Sequence, residues 1–184
     1  MVMPKNSVVL NPAAVLFQKT HPVPPEEIRG VRIQRIIKRM SAALRVSRDG
    51  IGIAAPQIGE PLRVFLASEE ALRYDEAKEM NEEKRNSRVW EHYVFINPVI
   101  TNYSRKKSNE VEGCLSVPGK FGTVARSEKV TITAYDEYGK QFTRGASKLF
   151  ARLMQHEVDH LEGKLFLSKA KNLIDIKKEE KKVK

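Results

Sequence analysis

The sequence predicts an α+β fold, with antiparallel strands around a late helix and a second helix near the N-terminus. Apolar residues recur at helical spacing in two segments, residues 25–47 and 147–161. Between them lie several segments with the alternation or the β-branched content of strands. With 184 residues, of which 41% are hydrophobic and 7% aromatic, the chain can bury the core of one compact domain.

The N-terminal helix is predicted from the Pro24-Pro25 pair onward. Proline fixes φ, and the acidic pair Glu26-Glu27 suits the first turn of a helix. We expect the helix to end near Ser47, before the Asp49-Gly50 turn signal. Its apolar stripe is assigned to the core and consists of Ile33, Ile36, Ile37, Met40 and Leu44.

The middle of the chain is predicted to be mostly extended. Residues 68–92 are the exception, because they are densely charged and lack a clear apolar stripe, so we expect a surface insertion. A turn at 136–139 is predicted to join two strands in a hairpin. The predicted strands are 62–67, 93–100, 111–117, 130–135 and a returning strand through Phe142.

The late helix is predicted over Ser147–Leu161, with Gly163 as its stop. Its sequence includes His156-Glu157-Val158-Asp159-His160. Histidines four residues apart lie one turn from each other, so both rings can bind one divalent ion. Glu157 is rotated by about 100°, where its carboxylate can act as base for a metal-bound water. With only four histidines in the chain, this arrangement rarely arises by chance, which favours a metal-binding helix over a structural one.

A catalytic metal site usually has three protein ligands and a water, so a third ligand is needed. No histidine follows His160, and Glu162 is too close behind it. Cys114, the only cysteine, lies upstream in the segment 112–116, Glu-Gly-Cys-Leu-Ser. A lone cysteine is more often a small buried residue than a ligand. Taken by itself, Cys114 therefore leaves both interpretations open.

The chain contains three segments in this order: Gly50-Ile-Gly-Ile-Ala-Ala-Pro-Gln57, Glu112-Gly-Cys-Leu-Ser116 and Gln155-His-Glu-Val-Asp-His160. They resemble the motifs of the peptide deformylase family, and they occur in the family's order. The resemblance runs from about Val8 to Phe166. It implies a metal-dependent hydrolase that removes the N-formyl group from the initiator methionine of nascent polypeptides and releases formate. It also implies a catalytic domain over 1–166, with an insertion at about 68–92, and a basic tail over 167–184.

The resemblance implies a role for each motif residue. The metal ligands would be Cys114, His156 and His160. The catalytic groups would be Glu157 as acid–base, with the Gln57 amide and the Leu115 N–H binding the oxyanion. Glu112 would hold a ligand in place, and Gln155 and Asp159 are weaker candidates for the same supporting role. Any one of these roles would be weak on its motif alone. Three motifs in order make the set specific.

The peptide is expected to bind beside the first motif as an added strand, where Gly50 and Gly52 would permit close approach. A wall for the methionine side chain is implied at Ile51, Leu149 and Leu153, although these residues could equally pack in the core. The chain departs from the family at Phe121, where many bacterial members carry arginine. Contacts beyond the methionine are therefore open.

A Cys-His-His site suits Fe²⁺, Zn²⁺, Co²⁺ or Ni²⁺, and the resemblance implies Fe²⁺ in the cell. Net charge is +10, with eight lysines against three acidic residues over 164–184. A solvated tail would explain this charge. We hypothesise instead that the tail contacts ribosomal RNA, and we expect a helix from its apolar residues, which are Leu167, Leu173, Ile174 and Ile176.

One cysteine cannot form an internal disulfide, so we expect a reducing, cytoplasmic compartment. No apolar run reaches the ~18–20 residues of a membrane span, and residues 1–9 do not resemble a secretory signal. Membrane partners are therefore not expected.

Two other functions compete with deformylation. A zinc peptidase would use the same helix with a different third ligand, so the role of Cys114 discriminates it. A basic RNA-binding protein on a decayed deformylase scaffold is disfavoured, because the expected ligands and the base are all present.

Overall fold

The computed structural model describes residues 8–47, 50–72 and 91–176. Within these ranges the chain forms three α-helices and eight strands, and the predicted α+β fold is confirmed. The helices are α1 (Val31–Val46), α2 (Glu69–Leu72) and α3 (Lys148–Leu161). The strands are β1 (Gly52–Ala54), β2 (Val64–Ser68), β3 (His92–Tyr103), β4 (Lys107–Cys114), β5 (Val117–Ser127), β6 (Lys129–Tyr135), β7 (Gln141–Ser147) and β8 (Lys171–Asp175).

The strands form two antiparallel sheets. One has five strands in the order β1-β2-β3-β6-β7, and the other has three in the order β4-β5-β8. Strands β1 and β4 are therefore edge strands of their sheets. Across the described residues, we find no helix with the length and apolar character that crossing a bilayer requires.

Helix α1 buries the predicted apolar stripe, and its end at Ser47 is confirmed because Ser47 is the C-terminal cap. Its predicted start is wrong. Residues Pro25–Glu27 form a separate turn of 3-10 helix, and α1 begins only at Val31. Gly30, at φ −67° and ψ 149°, is extended, and this conformation separates the two helical segments.

Helix α3 begins after Ser147, as predicted, and packs across the five-stranded sheet. Phe150, Leu153 and Met154 belong to the same buried cluster as Phe95 on β3. The ring of Phe95 also stacks on that of Phe65 at a centroid distance of 4.5 Å. This packing holds the histidine-bearing face of α3 against the ends of β1 and β4.

Several strand predictions need correction. The predicted strand 111–117 is instead the end of β4, a tight turn at Leu115-Ser116 and the start of β5. The predicted insertion 68–92 contains the end of β2, helix α2 and the start of β3, while residues 73–90 lie outside the described ranges.

The helix expected in the tail is wrong for its described part. Residues Lys171–Asp175 form strand β8, which pairs antiparallel with β5. Leu173 on this strand packs against the backbone of Gly122, where a Cβ would lie 2.9 Å from its Cδ2. Pairing with an open strand edge satisfies backbone groups that a separate short helix would leave to water.

Candidate metal centre

Two elements bring the predicted ligands together. Cys114 is the last residue of β4, and His156 and His160 lie one turn apart on α3. The Cys114 Sγ is 3.2 Å from His160 Nε2, and the ligand atoms of all three residues lie within 4.8 Å of one another. The thiol therefore lies close to both rings, while the Cys114 side chain also packs against the core cluster that contains Phe166.

These three side chains fit a divalent cation. Bonds of about 2.0–2.3 Å in a tetrahedral centre place neighbouring ligand atoms roughly 3.5 Å apart. The Cys114–His160 distance of 3.2 Å is close to this value, and all three ligand atoms lie within 4.8 Å of one another. His156 Nδ1 lies 2.9 Å from a carboxylate oxygen of Glu112, which can only accept, so the proton is on Nδ1 and Nε2 is left for a metal. A thiolate and two imidazoles suit transition metals of intermediate softness.

Glu157 lies beside this cluster and is 2% exposed. Among the described residues, its Oε2 atom is buried without a hydrogen-bond partner. Burial raises the pKa of Glu157 to about 7; the charge of His156 opposes this shift, and the charge of Glu112 adds to it. A carboxyl group with this pKa can both accept and donate a proton near neutral pH.

The remaining ionisable groups are held in defined states. Burial opposes ionisation of Glu112, but hydrogen bonds from Arg126 and His156 lower its pKa to about 2. Burial also opposes a charge on His156, but hydrogen bonds with Cys114 and Glu112 raise its pKa to about 10. Burial and the nearby charges of His156 and Arg126 lower the pKa of His160. His160 is thus neutral, as metal binding requires, and a cation would replace the second proton of His156.

Gln57 points its amide group at the cluster from the turn after β1. Its Oε1 accepts the backbone N–H of Ala54 at 2.8 Å. Its Nε2 donates to Ser116 Oγ at 3.2 Å and lies 3.5 Å from Cys114 Sγ. Ser116, which sequence reasoning did not single out, therefore helps to orient the amide whose donor faces the cluster.

A cleft of about 380 Å³ opens over the cluster. All five residues predicted to contact the peptide line it, namely Gly50, Ile51, Gly52, Leu149 and Leu153. Leu115 and Phe121 line it as well, and the Phe121 ring covers Gly113 so closely that a Cβ there would lie 2.7 Å from it. The cleft is thus apolar along its walls and polar where the Cys114 and Glu157 side chains reach it.

The absence of a side chain at Gly52 has a specific cause. A Cβ at this position would lie 2.5 Å from Glu157 Oε1 and 2.6 Å from Leu153 Cδ1. The space is therefore taken by the protein's own carboxylate and pocket wall. The sequence predicts that Gly52 makes room for substrate, and in the structure this glycine also makes room for Glu157.

A Gly52→Ala variant is expected to lower the rate of the proposed reaction about tenfold, because even a sub-ångström displacement of a reacting group is costly. The added methyl group must displace the Glu157 carboxylate. Steady-state kinetics would measure the effect. Gly145→Ala is the matched control, since nothing lies within 4 Å of a Cβ there. Equal rates for the two variants would contradict this explanation.

A buried network supports the cluster from behind. Arg126 donates to both oxygens of Glu112 at 2.8 and 2.9 Å and to Asp159 at 2.5 Å. Lys169 donates to both oxygens of Asp159. Gln155 instead binds the backbone of Ser127, so it holds β5 against α3 and contacts no ligand. Sequence reasoning missed Arg126 and Lys169, which lie outside the three motifs.

An Arg126→Met variant is expected to lower the free energy of unfolding by about 3–5 kcal/mol, because buried Glu112 would lose the guanidinium that binds both of its oxygens and Asp159 would keep only Lys169. Urea denaturation of metal-free protein would measure this loss. Arg35→Met, on the exposed face of α1, should change the stability by only about 0.5 kcal/mol. A loss for Arg126→Met as small as that of the control would refute the prediction.

A strand cysteine, two histidines on one helix and a buried carboxylate beside them are the features of the single-metal hydrolases. The sequence model of the family described as "Polypeptide deformylase" matches residues 5–175. The chain belongs to this family, whose members are metal-dependent.

Relatives with known names agree. Peptide deformylase 1A, chloroplastic/mitochondrial, of Arabidopsis thaliana is 40% identical over 164 residues. That match covers 88% of this chain and 60% of the plant protein. The peptide deformylase of Borreliella burgdorferi is 37% identical, with 74% of this chain and 72% of the relative covered. The chain thus spans somewhat more than half the length of the plant relative.

Solved structures have the same fold. The class I type b peptide deformylase of Acinetobacter baumannii, bound to Met-Ala-Ser, superposes with a TM-score of 0.74 at 30% identity. The match covers 92% of this chain and 98% of that chain. A peptide deformylase of Plasmodium falciparum gives a TM-score of 0.73 at 30% identity, with 90% and 87% covered.

Proposed function

We propose that this protein is a metal-dependent hydrolase that removes the N-formyl group from the initiator methionine of nascent polypeptides and releases formate. The observation that carries the proposal is the convergence of Cys114, His156 and His160 beside a buried Glu157. Membership of the deformylase family supports the choice of substrate.

Cys114, His156 and His160 would hold the divalent ion, which when bound would supply Lewis-acid activation of a water and of the formyl oxygen. Glu157 takes a proton from the water that attacks the formyl carbon. It then gives a proton to the departing amine nitrogen, which is otherwise a poor leaving group. Its pKa of about 7 suits both steps.

Negative charge develops on the formyl oxygen as the water attacks. We assign the Gln57 amide and the backbone N–H of Leu115 as donors to this oxygen. Such a donor typically contributes about 10²–10³ in rate. The hydrogen bonds that hold Gln57 supply the orientation that this role needs.

The cleft suits an extended peptide. It lies between the edge strands β1 and β4, each paired on one side only within the described residues. An added strand could bond to an open edge while Ile51, Leu149 and Leu153 surround the methionine side chain. That the Acinetobacter relative binds Met-Ala-Ser supports this choice of ligand.

One assay separates deformylation from its competitors. Formate release from a formyl-Met peptide is expected for the wild-type chain and should be absent for Glu157→Ala. An acetyl-Met peptide serves as the matched substrate. Cleavage of internal peptide bonds without formate would instead indicate a peptidase, and no turnover of either kind by metal-loaded protein would indicate a decayed scaffold.

For the metal, we propose Fe²⁺ in the cell, with Zn²⁺, Ni²⁺ or Co²⁺ able to replace it, because the donor set accepts all four. Iron would make activity sensitive to oxygen. Protein purified without oxygen should therefore lose activity in air. Full retention of activity in air, with zinc, nickel or cobalt as the bound metal, would contradict an iron enzyme.

We further propose a cytoplasmic location, a catalytic domain over 1–166 with an insertion at about 68–92, and a basic tail that contacts ribosomal RNA. Because β8 pairs with β5, a chain ending at 176 tests the tail better than one ending at 166. Cosedimentation with ribosomes at increasing salt should weaken on removal of 177–184. Equal binding by both chains would refute the RNA contact.

A further inference from the structure

Four charged side chains connect the protein surface to one of the proposed metal ligands. Lys169 Nζ lies 2.6 and 2.7 Å from the two carboxylate oxygens of Asp159. Asp159 and Glu112 are joined by Arg126, and Glu112 accepts the Nδ1–H of His156. The contacts thus run without a gap from a lysine just after the last 3-10 turn, Phe166–Ser168, to the ring that faces Cys114.

The burial of these groups changes steadily along the connection. The side chains of Glu112 and Arg126 are each 4% exposed, that of Asp159 is 13% exposed, and that of Lys169 is 40% exposed. The two carboxylates balance the two cations, so these four side chains together carry no net charge. Neutral pairing of this kind is what allows ionised groups to lie inside a protein.

Each contact also fixes the next. Arg126 binds Glu112 through both of its oxygens, a bidentate geometry that sets the plane of the carboxylate. A carboxylate fixed in this way sets both the tautomer and the rotation of the imidazole that it accepts from. Asp159 accepts a hydrogen bond from the remaining guanidinium nitrogen of Arg126, and the ammonium group of Lys169 in turn fixes the Asp159 carboxylate.

We propose that Lys169 is a positioning residue for the metal site, acting through Asp159, Arg126 and Glu112 on the orientation of His156. This inference rests on the proposed metal centre and extends it to a residue outside the three motifs. Loss of the ammonium group frees Asp159 to rotate and loosens the guanidinium. This loss is expected to weaken metal retention more than it lowers the free energy of unfolding. Lys169 is half-exposed, and Arg126 still neutralises part of the buried negative charge.

The test is the rate at which zinc-loaded protein releases its metal to an excess of chelator. Lys169→Met is expected to release zinc about tenfold faster, at the lower end of the range for groups behind a ligand. Lys169→Arg should restore the wild-type rate, since a guanidinium can also donate to both oxygens. Lys164→Met is the matched control, because it removes a charge from an exposed lysine nearby.

Urea denaturation of the metal-free variants separates positioning from a merely structural role. Similar stability for Lys169→Met and Lys164→Met, together with faster release from the first alone, supports the proposal. Equal release rates overturn it, whether or not Lys169→Met is less stable. A wild-type chain that retains no metal at all would overturn the proposed metal centre as well, so the two failures are distinguishable.

Discussion

A Glu157→Gln variant is expected to release formate about 10²–10⁴-fold more slowly than the wild-type chain, the usual contribution of a positioned acid–base group. The amide keeps the shape of the carboxylate but cannot accept the proton of the attacking water. Because Glu157 is not among the three ligands that cluster, the variant should bind metal as the wild type does. Steady-state formate release and elemental analysis of the same sample would measure both quantities.

The control for this prediction is Glu162→Gln. Glu162 lies five residues after Glu157 and is the C-terminal cap of α3. Glu162 binds Arg63 and Lys19 at the end of the helix and is absent from the cleft lining. Its substitution should leave the rate of formate release within about twofold, as for most changes outside the site. Equal, strong losses in both variants would show that helix stability, and not proton transfer, is being measured.

A Cys114→Ser variant is expected to lose metal affinity by more than about 10²-fold. Even outer groups behind a ligand cost 10–100-fold, and a hydroxyl is a far weaker ligand than a thiolate. Metal content after dialysis against a chelator would measure the loss, and activity should fall with it. His21→Asn changes an exposed histidine outside the cluster and should retain the metal.

The same variant discriminates the competing enzyme. A zinc peptidase with a different third ligand would keep both its metal and its activity when Cys114 is replaced. Retention of the metal by Cys114→Ser would therefore refute the proposed ligand set.

The parts of the site that could be predicted from local sequence are those that lie on one element. His156, Glu157 and His160 share α3, so helical periodicity alone places them around one point. Cys114 lies 46 residues before His160 and meets it through the packing of two elements. Only the resemblance of three motifs could anticipate that contact.

The burial of Arg126 could not be predicted from the local sequence. This arginine stands in a strand next to Ser127, and a charged residue in such a pattern is normally assigned to the solvent side. Its burial depends on two carboxylates from β4 and α3, and no local pattern can reveal partners so distant in sequence.

The turn between β4 and β5 was missed for a different reason. Leu115 is not a typical turn residue and Ser116 is a weaker turn signal than glycine or proline, whereas the strongest turn signal nearby, Pro118-Gly119, lies inside β5. Gly119 has a φ of +78°, so it accommodates an irregularity within the strand. Turn propensity therefore favours a turn at Pro118-Gly119, three residues after the observed turn at Leu115-Ser116.

The ion pairs behind His156 bear on how a cation enters and leaves. Arg126 and Glu112 fix the imidazole from inside the protein, so the geometry of the ligands does not depend on the ion to create it. We expect a cation to bind to ligands that are already in place, and one ion to exchange for another while the chain stays folded. Under such conditions the occupant is chosen by the supply of metals in the surroundings, which is why the donor atoms alone do not specify it.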